Sequence, residues 1–295
     1  MIFVITITFS NMLHAQEKNY IGTQVCSTCH NDLSNHWSHT LHAKIFLNNP
    51  RNEIEARGCE SCHGPGSQHL ADPTVSESII RFTSNSNSSV GVQNQACLQC
   101  HTGGDRMHWM SSVHESNDIA CADCHNPMAN YSTVNLLSKN NVNETCFTCH
   151  KEQRSQFNRR SHMPLNEGKI SCTNCHNPHG SISDSLLIAD TVNQTCFQCH
   201  AEKRGPFLFE HAPVTDSCVN CHEPHGSNHE KLLLTARPML CQQCHTSIGH
   251  MNDLFTRGNL ATGSRPDARL IGRSCQNCHS QIHGSNHPGG AKFQR

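Results

Sequence analysis

The sequence predicts an irregular fold: mostly coil with short α-helices, little or no β-sheet, wrapped round bound groups instead of an apolar core. Three observations point there. Of 295 residues only 35% are apolar and 5% aromatic, and mean hydropathy is −0.56, a composition close to that of disordered chains. All 20 cysteines fall in ten copies of a single five-residue motif. The copies start 22 to 38 residues apart, so roughly thirty residues serve each, too few to build an ordinary core around every one.

The motif is C-x-x-C-H. Its copies are Cys26/Cys29/His30, Cys59/Cys62/His63, Cys97/Cys100/His101, Cys121/Cys124/His125 and Cys146/Cys149/His150. They continue as Cys172/Cys175/His176, Cys196/Cys199/His200, Cys218/Cys221/His222, Cys241/Cys244/His245 and Cys275/Cys278/His279. Paired cysteines at this spacing also serve zinc, and many cysteines in an exported chain form disulfides. Neither use calls for a histidine after every second cysteine. The pattern is the attachment signature of c-type haem: two thiols become thioethers on the vinyl groups, and the histidine is the proximal iron ligand. Ten covalently bound haem c groups are therefore expected, with no cysteine left over.

Haem also explains the composition. Porphyrins supply the apolar surface that the residues lack, so the haem-free chain is expected not to fold, as small metal domains are unstructured without their metal. The formal charge of −1 is modest, but two propionates per haem make the loaded protein far more negative. No basic stripe is present, which excludes nucleic acid as a partner. The arginines of RSQFNRR at 154–160 read as a solvated or propionate-pairing face.

In chain order, residues 1–15 (MIFVITITFSNMLHA) read as a secretory signal peptide, an apolar run closed by a small residue and too short to span a bilayer. Residues 16–295 read as one elongated decahaem domain built from five pairs of motifs. The pairing shows in 143–181 and 193–227, each with a first motif, a histidine 12 or 13 residues after its second cysteine, a second motif and Pro-His-Gly-Ser. Repeats of this kind touch mainly their neighbours. Short helices are expected after first motifs, for example over 201–210, and turns after second motifs. The polar stretch 83–95 reads as a loop or hinge.

The remaining histidines decide the chemistry, because an iron with two protein ligands passes electrons and an iron with one can bind substrate. Apart from the ten proximal histidines and His14, fourteen remain for ten irons. His42, His114, His162, His211 and His250 follow first motifs; His69, His179, His225 and His283 or His287 follow second motifs. These are the candidate distal ligands. A histidine three residues after a proximal one sits too close to cap the same iron, so it should reach a neighbouring haem. His36, His39, His108 and His229 fall outside the repeated slots. At the fourth motif the slot holds Met128, in His125-Asn126-Pro127-Met128. Methionine is itself an axial ligand that raises the potential; a substitute such as His108 or a terminal histidine, or an open iron, are the alternatives. The excess of histidine disfavours a catalytic open iron, and the paucity of aromatic surface disfavours a self-assembling filament.

The stretches CHAEKRGPFLFEHAPVTDSCVNCHEPHGS (199–227), LCQQCH (240–245), GRSCQNCHSQIHGSNHPGG (272–290) and CESCHGPGSQH (59–69) resemble periplasmic decahaem cytochromes of the MtrA/DmsE type, and the likeness runs over 24–295. The resemblance implies a nearly linear chain of bis-histidine haems inside an outer-membrane β-barrel porin. Electrons would pass between periplasmic electron-transfer cytochromes and an outer-surface multihaem cytochrome or terminal reductase. It assigns the distal role to His42, His69, His114, His162, His179, His211, His225, His250 and the His283/His287 pair. Met128 departs from it. The chain is thus expected to be an electron conduit and not an enzyme, exported to the periplasm and associated with the outer membrane.

Overall fold

The computed structural model describes residues 18–83, 86–245 and 275–294. The proposed signal peptide and His250 lie outside them. The described chain is short helices, single 3-10 turns and coil, and its β pairing is confined to isolated bridges such as His176 with Leu187 and His222 with Leu233. The irregular, helix-and-coil fold class read from the sequence is what is observed.

Two compact units form. One comprises Met1–Thr102 with Asn117–Asn140; the other comprises Gly103–Ser116 with Asn141–Arg295. The first holds four motifs, and the second holds six together with the segment carrying His114.

First motifs sit at the ends of capped helices. Val90–Leu98, Val142–Cys146 and Val192–Phe197 each begin after a residue whose side chain accepts from a first-turn N–H: Ser89, Asn141 and Thr191. Such caps satisfy donors that a short helix otherwise leaves bare. The helices run into the motifs more than away from them. Over 201–210 only the turn Ala201–Lys203 is helical, because Gly205 adopts φ 78° and Pro206 cannot continue a helix. Likewise half of the expected 83–95 loop belongs to helix Val90–Leu98. Later second motifs occupy single turns, Cys172–Asn174, Cys218–Asn220 and Cys275–Asn277.

Apolar burial is sparse. Phe147, Phe157 and Leu165 make a small cluster in the second unit, and Trp37 and Ala43 are buried in the first. In the first unit a buried Glu60 carboxylate accepts from Ile21, Gly22 and Gly66 N–H groups at 2.8–2.9 Å, tying the start of the described chain to the second motif. The arginines of 154–160 are used internally: Arg154 lies 3.8 Å from Glu144, Arg159 donates to Gly226 O, and Arg160 lies 3.5 Å from Glu230.

Candidate haem sites

Four of the five pairs of motifs are locked by the residue three positions before the first cysteine; the fifth has Pro238 at that place. Cys121 N–H donates to Asn94 Oδ1 at 2.8 Å, Cys172 N–H to Asn143 Oδ1 at 3.1 Å, and Cys218 N–H to Asn193 Oδ1 at 2.7 Å. Thr23 Oγ1 takes this role for Cys59 N–H at 3.2 Å. These clamps were not singled out from the sequence, although the recurring Asn at that place was the available signal.

The clamp brings the first cysteines of a pair together. The Cys97 thiol bonds Cys121, and Cys146 bonds Cys172. Burial, then the neighbouring sulfur, pushes Cys26 up to about 11 beside Cys59, Cys196 up to about 12 beside Cys218, and Cys241 up to about 11 beside Cys275. Between pairs the second cysteines approach instead. Cys62 is raised to about 11 by burial and then Cys100; burial followed by Cys199 raises Cys175, and burial followed by Cys244 raises Cys221. Within each unit, motifs consecutive in sequence are therefore neighbours in space.

None of the twenty cysteines forms a disulfide. Their exposure follows their place in the pair. The second cysteines of the first motifs, Cys29, Cys100, Cys149, Cys199 and Cys244, are exposed, and so is Cys278 in the last motif. Cys124, in the fourth motif, is half-buried, and its carbonyl accepts from Ser138 N–H at 2.8 Å. Exposure at six of the expected thioether positions departs from the usual burial of cysteine. A porphyrin attached there would supply the cover that the polypeptide does not.

Proximal histidines of second motifs are half-buried and backed by a backbone carbonyl. The Nδ1 atoms of His63, His125, His176 and His222 lie 2.7–2.8 Å from Ile80 O, Asn135 O, Ser185 O and Lys231 O, and His279 Nδ1 bonds Lys292 O. A carbonyl only accepts, so Nδ1 carries the proton and the Nε2 lone pair is left for metal. Proximal histidines of first motifs are exposed.

Six motif histidines face a follower histidine. Ring centroids are 6.2 Å apart for His30–His69, 5.9 Å for His42–His101, 6.2 Å for His114–His150, 6.1 Å for His176–His225, 6.1 Å for His211–His245 and 6.3 Å for His222–His283. A metal bound to two imidazoles at about 2 Å each, with about 1.1 Å from nitrogen to ring centre, needs a separation of about 6.3 Å. The residues fit haem iron: the centroid separations of 5.9–6.3 Å match the spacing that one metal between two imidazoles requires. Burial lowers the pKa of His42, His69, His211, His225 and His283, with the facing imidazole adding to the shift, which favours the neutral, ligating form.

The other predicted residues are placed as follows. His162 bonds Arg159 O through Nδ1 and Glu167 Oε1 through Nε2. His179 packs beside Trp109 at 6.4 Å. His287 Nδ1 accepts from Gly289 N–H at 3.0 Å, which puts its proton on Nε2; of the terminal two, His283 is the one aimed at a motif histidine. Met128 is half-buried in the first unit. Glycines after the follower histidines were also missed from the sequence. Gly180, Gly226 and Gly284 have φ of 113°, 149° and 135°, and a Cβ there would overlap the His108 carbonyl, the Gln156 carbonyl and the Phe207 ring.

Comparison with known proteins finds the same repeated motif elsewhere. A doubled CXXCH motif family matches residues 162–205 and 211–250, and a family of NrfB-like c-type cytochromes matches 59–142. The multihaem cytochrome MtrA of Shewanella baltica is 43% identical over 283 residues, 95% of this chain and 84% of its own. The cytochrome c-type protein NrfB of Escherichia coli O6:H1 is 30% identical over 161 residues, 52% of this chain and 81% of its own. With its C-x-x-C-H motifs in clamped pairs and imidazoles set one iron apart, the chain belongs to the MtrA family of multihaem c-type cytochromes and transfers electrons through covalently bound haem.

Proposed function

We propose that the chain holds ten haems and conducts electrons between the periplasm and the cell exterior from within an outer-membrane β-barrel porin, serving extracellular respiration or iron oxidation. The observation that carries this reading is the neighbour order of the motifs within each unit, alternately first cysteine to first cysteine and second to second, combined with facing imidazoles. Haem iron, alternating between ferric and ferrous, supplies the redox chemistry. The chain's residues set the spacing, close the irons and keep the rings fixed.

The ligand pairs in this reading are His30/His69, His101/His42, His150/His114, His176/His225, His222/His283 and His245/His211. By the same step along the repeat His162 serves the iron of His200, on giving up its Nε2 contact with Glu167. An iron closed on both faces has no position for substrate, so no residue is assigned a catalytic role. Partners are the porin, periplasmic electron-transfer cytochromes, and an outer-surface multihaem cytochrome or terminal reductase; these follow from the family resemblance. No helix among the described residues is long and apolar enough to cross a membrane.

The test has two arms. Intact mass and a haem assay should give ten haems per chain, and dithionite-reduced protein should show no Soret change on adding carbon monoxide. A shift spread over several haems would overturn the closed-conduit reading in favour of an enzyme. Detergent extracts of native outer membrane should yield the cytochrome together with a barrel protein; recovery without one would overturn the porin assignment.

A further inference from the structure

Met128 occupies a slot that holds histidine in the sibling loops, and the docking of those loops tells which iron the slot faces. Gly226 crosses the Gln156 carbonyl and Ser227 pairs with Ser161, both in the pair of motifs that ends at His176; His225, on this loop, stands 6.1 Å from His176. One pair further on, Gly284 crosses Phe207 and Ser285 pairs with Phe209, and His283 stands 6.3 Å from His222. In both cases the loop docks just before a follower histidine of one pair and presents its own histidine to that pair's second proximal histidine.

The loop 126–130 carries Ala129 where the siblings carry glycine, and it reaches the first pair through a side chain instead of a backbone bridge. Asn130, which corresponds to Ser227 and Ser285, donates through Nδ2 to the carbonyl of His39 at 2.9 Å, three residues before His42. The second proximal histidine of that pair is His63. Its Nδ1 is engaged with Ile80 O at 2.8 Å, which leaves Nε2 for metal, and its ring packs edge-on against Phe82. The imidazoles of His30 and His69 face one another and are taken. Met128 is also presented as a ligand histidine is. Its N–H donates to Asn126 Oδ1 at 3.0 Å, as that of His179 donates to Asn177 Oδ1 at 3.1 Å.

We propose that the Met128 sulfur is the sixth ligand of the haem held by Cys59, Cys62 and His63, a histidine–methionine haem among bis-histidine ones. This rests on the ligand pairing proposed above. A thioether donates less charge than imidazole and favours the ferrous iron, so this haem is the easiest in the chain to reduce. It places a high-potential electron store at the second position, inside the first unit. The competing residue is His39, whose ring is exposed and whose Nδ1 bonds Asn35 O on its own helix at 2.8 Å.

The ferric protein should show the far-red charge-transfer absorption of thioether-ligated haem, confirmed by magnetic circular dichroism, with an intensity of one haem per chain. In a potentiometric titration one haem should fill ahead of the rest. Met128→His should remove the band and bring that haem back among the others, with no carbon monoxide binding. Met128→Leu should remove the band and create one haem that binds carbon monoxide. Absence of the band from the unmutated protein overturns the proposal; if His39→Ala then opens one haem to carbon monoxide, His39 is the ligand. Widespread carbon monoxide binding in the unmutated protein would instead count against the conduit reading, whatever the far-red band shows.

Discussion

Gly226→Ala tests how the fold delivers a distal ligand. Gly226 sits at φ 149°, a region open essentially to glycine alone, and a Cβ there would overlap the Gln156 carbonyl oxygen. The conformational strain costs about 1–3 kcal/mol, which corresponds to roughly 5- to 150-fold more of the form with the loop displaced. Displacing the loop lifts His225, the preceding residue, away from His176. Carbon monoxide captures only the opened iron, so its apparent affinity at that haem should rise by the same factor. The assay is a carbon monoxide titration of reduced protein followed in the Soret band, with an expected stoichiometry of one haem per chain. Gly168→Ala is the control. Gly168 also has positive φ, 68°, yet a Cβ there meets nothing within 4 Å, and the residue belongs neither to the loop that carries His225 nor to the segment on which that loop docks. It should lose stability without opening a haem. If Gly226→Ala binds no more carbon monoxide than the control, docking of the Pro-His-Gly-Ser loop is not what holds His225 in place.

Other outcomes are as direct. Asn193→Ala strands the half-buried Cys218 N–H and two carbonyls, Val214 O and Thr215 O, and should cost about 1–3 kcal/mol in denaturant unfolding, with Asn193→Asp retaining part of that. His42→Ala should open the haem of His101 alone, seen as one carbon monoxide-binding haem. Electron paramagnetic resonance of the ferric protein should separate two classes of signal: near-parallel imidazoles at His30/His69, His176/His225, His211/His245 and His222/His283 (14–27°), and steeply crossed ones at His42/His101 and His114/His150 (80° and 62°). A single class would refute these ring orientations. The haem-free chain should show little helix by circular dichroism and no cooperative melt, because so few apolar side chains are buried.

Attachment chemistry was legible in the residues because it is local. Two cysteines and a histidine within five positions hold one haem whatever the rest of the chain does, and the repeated spacing exposed the pairs. The irregular fold class was legible for the same reason: the chain has too little apolar material to close a core of its own, and bound groups had to replace it. What each motif cysteine meets was not legible. Cys29, Cys149 and Cys278 are exposed while Cys124 is half-buried, although the motif around each reads alike. Helix positions were also less so. The sequence placed a helix after the seventh motif, where Gly205-Pro206 breaks it, and read as a loop the stretch that Ser89 caps into Val90–Leu98.

Which imidazole faces which depends on the path of the chain between motifs, and pattern alone does not hold that information. His42 meets His101 across an intervening motif, and His114 meets His150 from a segment that leaves its sequence neighbours for the second unit. Those meetings are set by backbone clamps such as Asn193 with Cys218 and by glycines that let one segment cross another. Their energies come from hydrogen bonds and steric clearances between residues far apart in sequence. The residues by themselves determined the cofactor and its covalent attachment. Only the tertiary structure decided the neighbour order of the motifs and the partner of each facing imidazole, because both are distances across space and not along the chain.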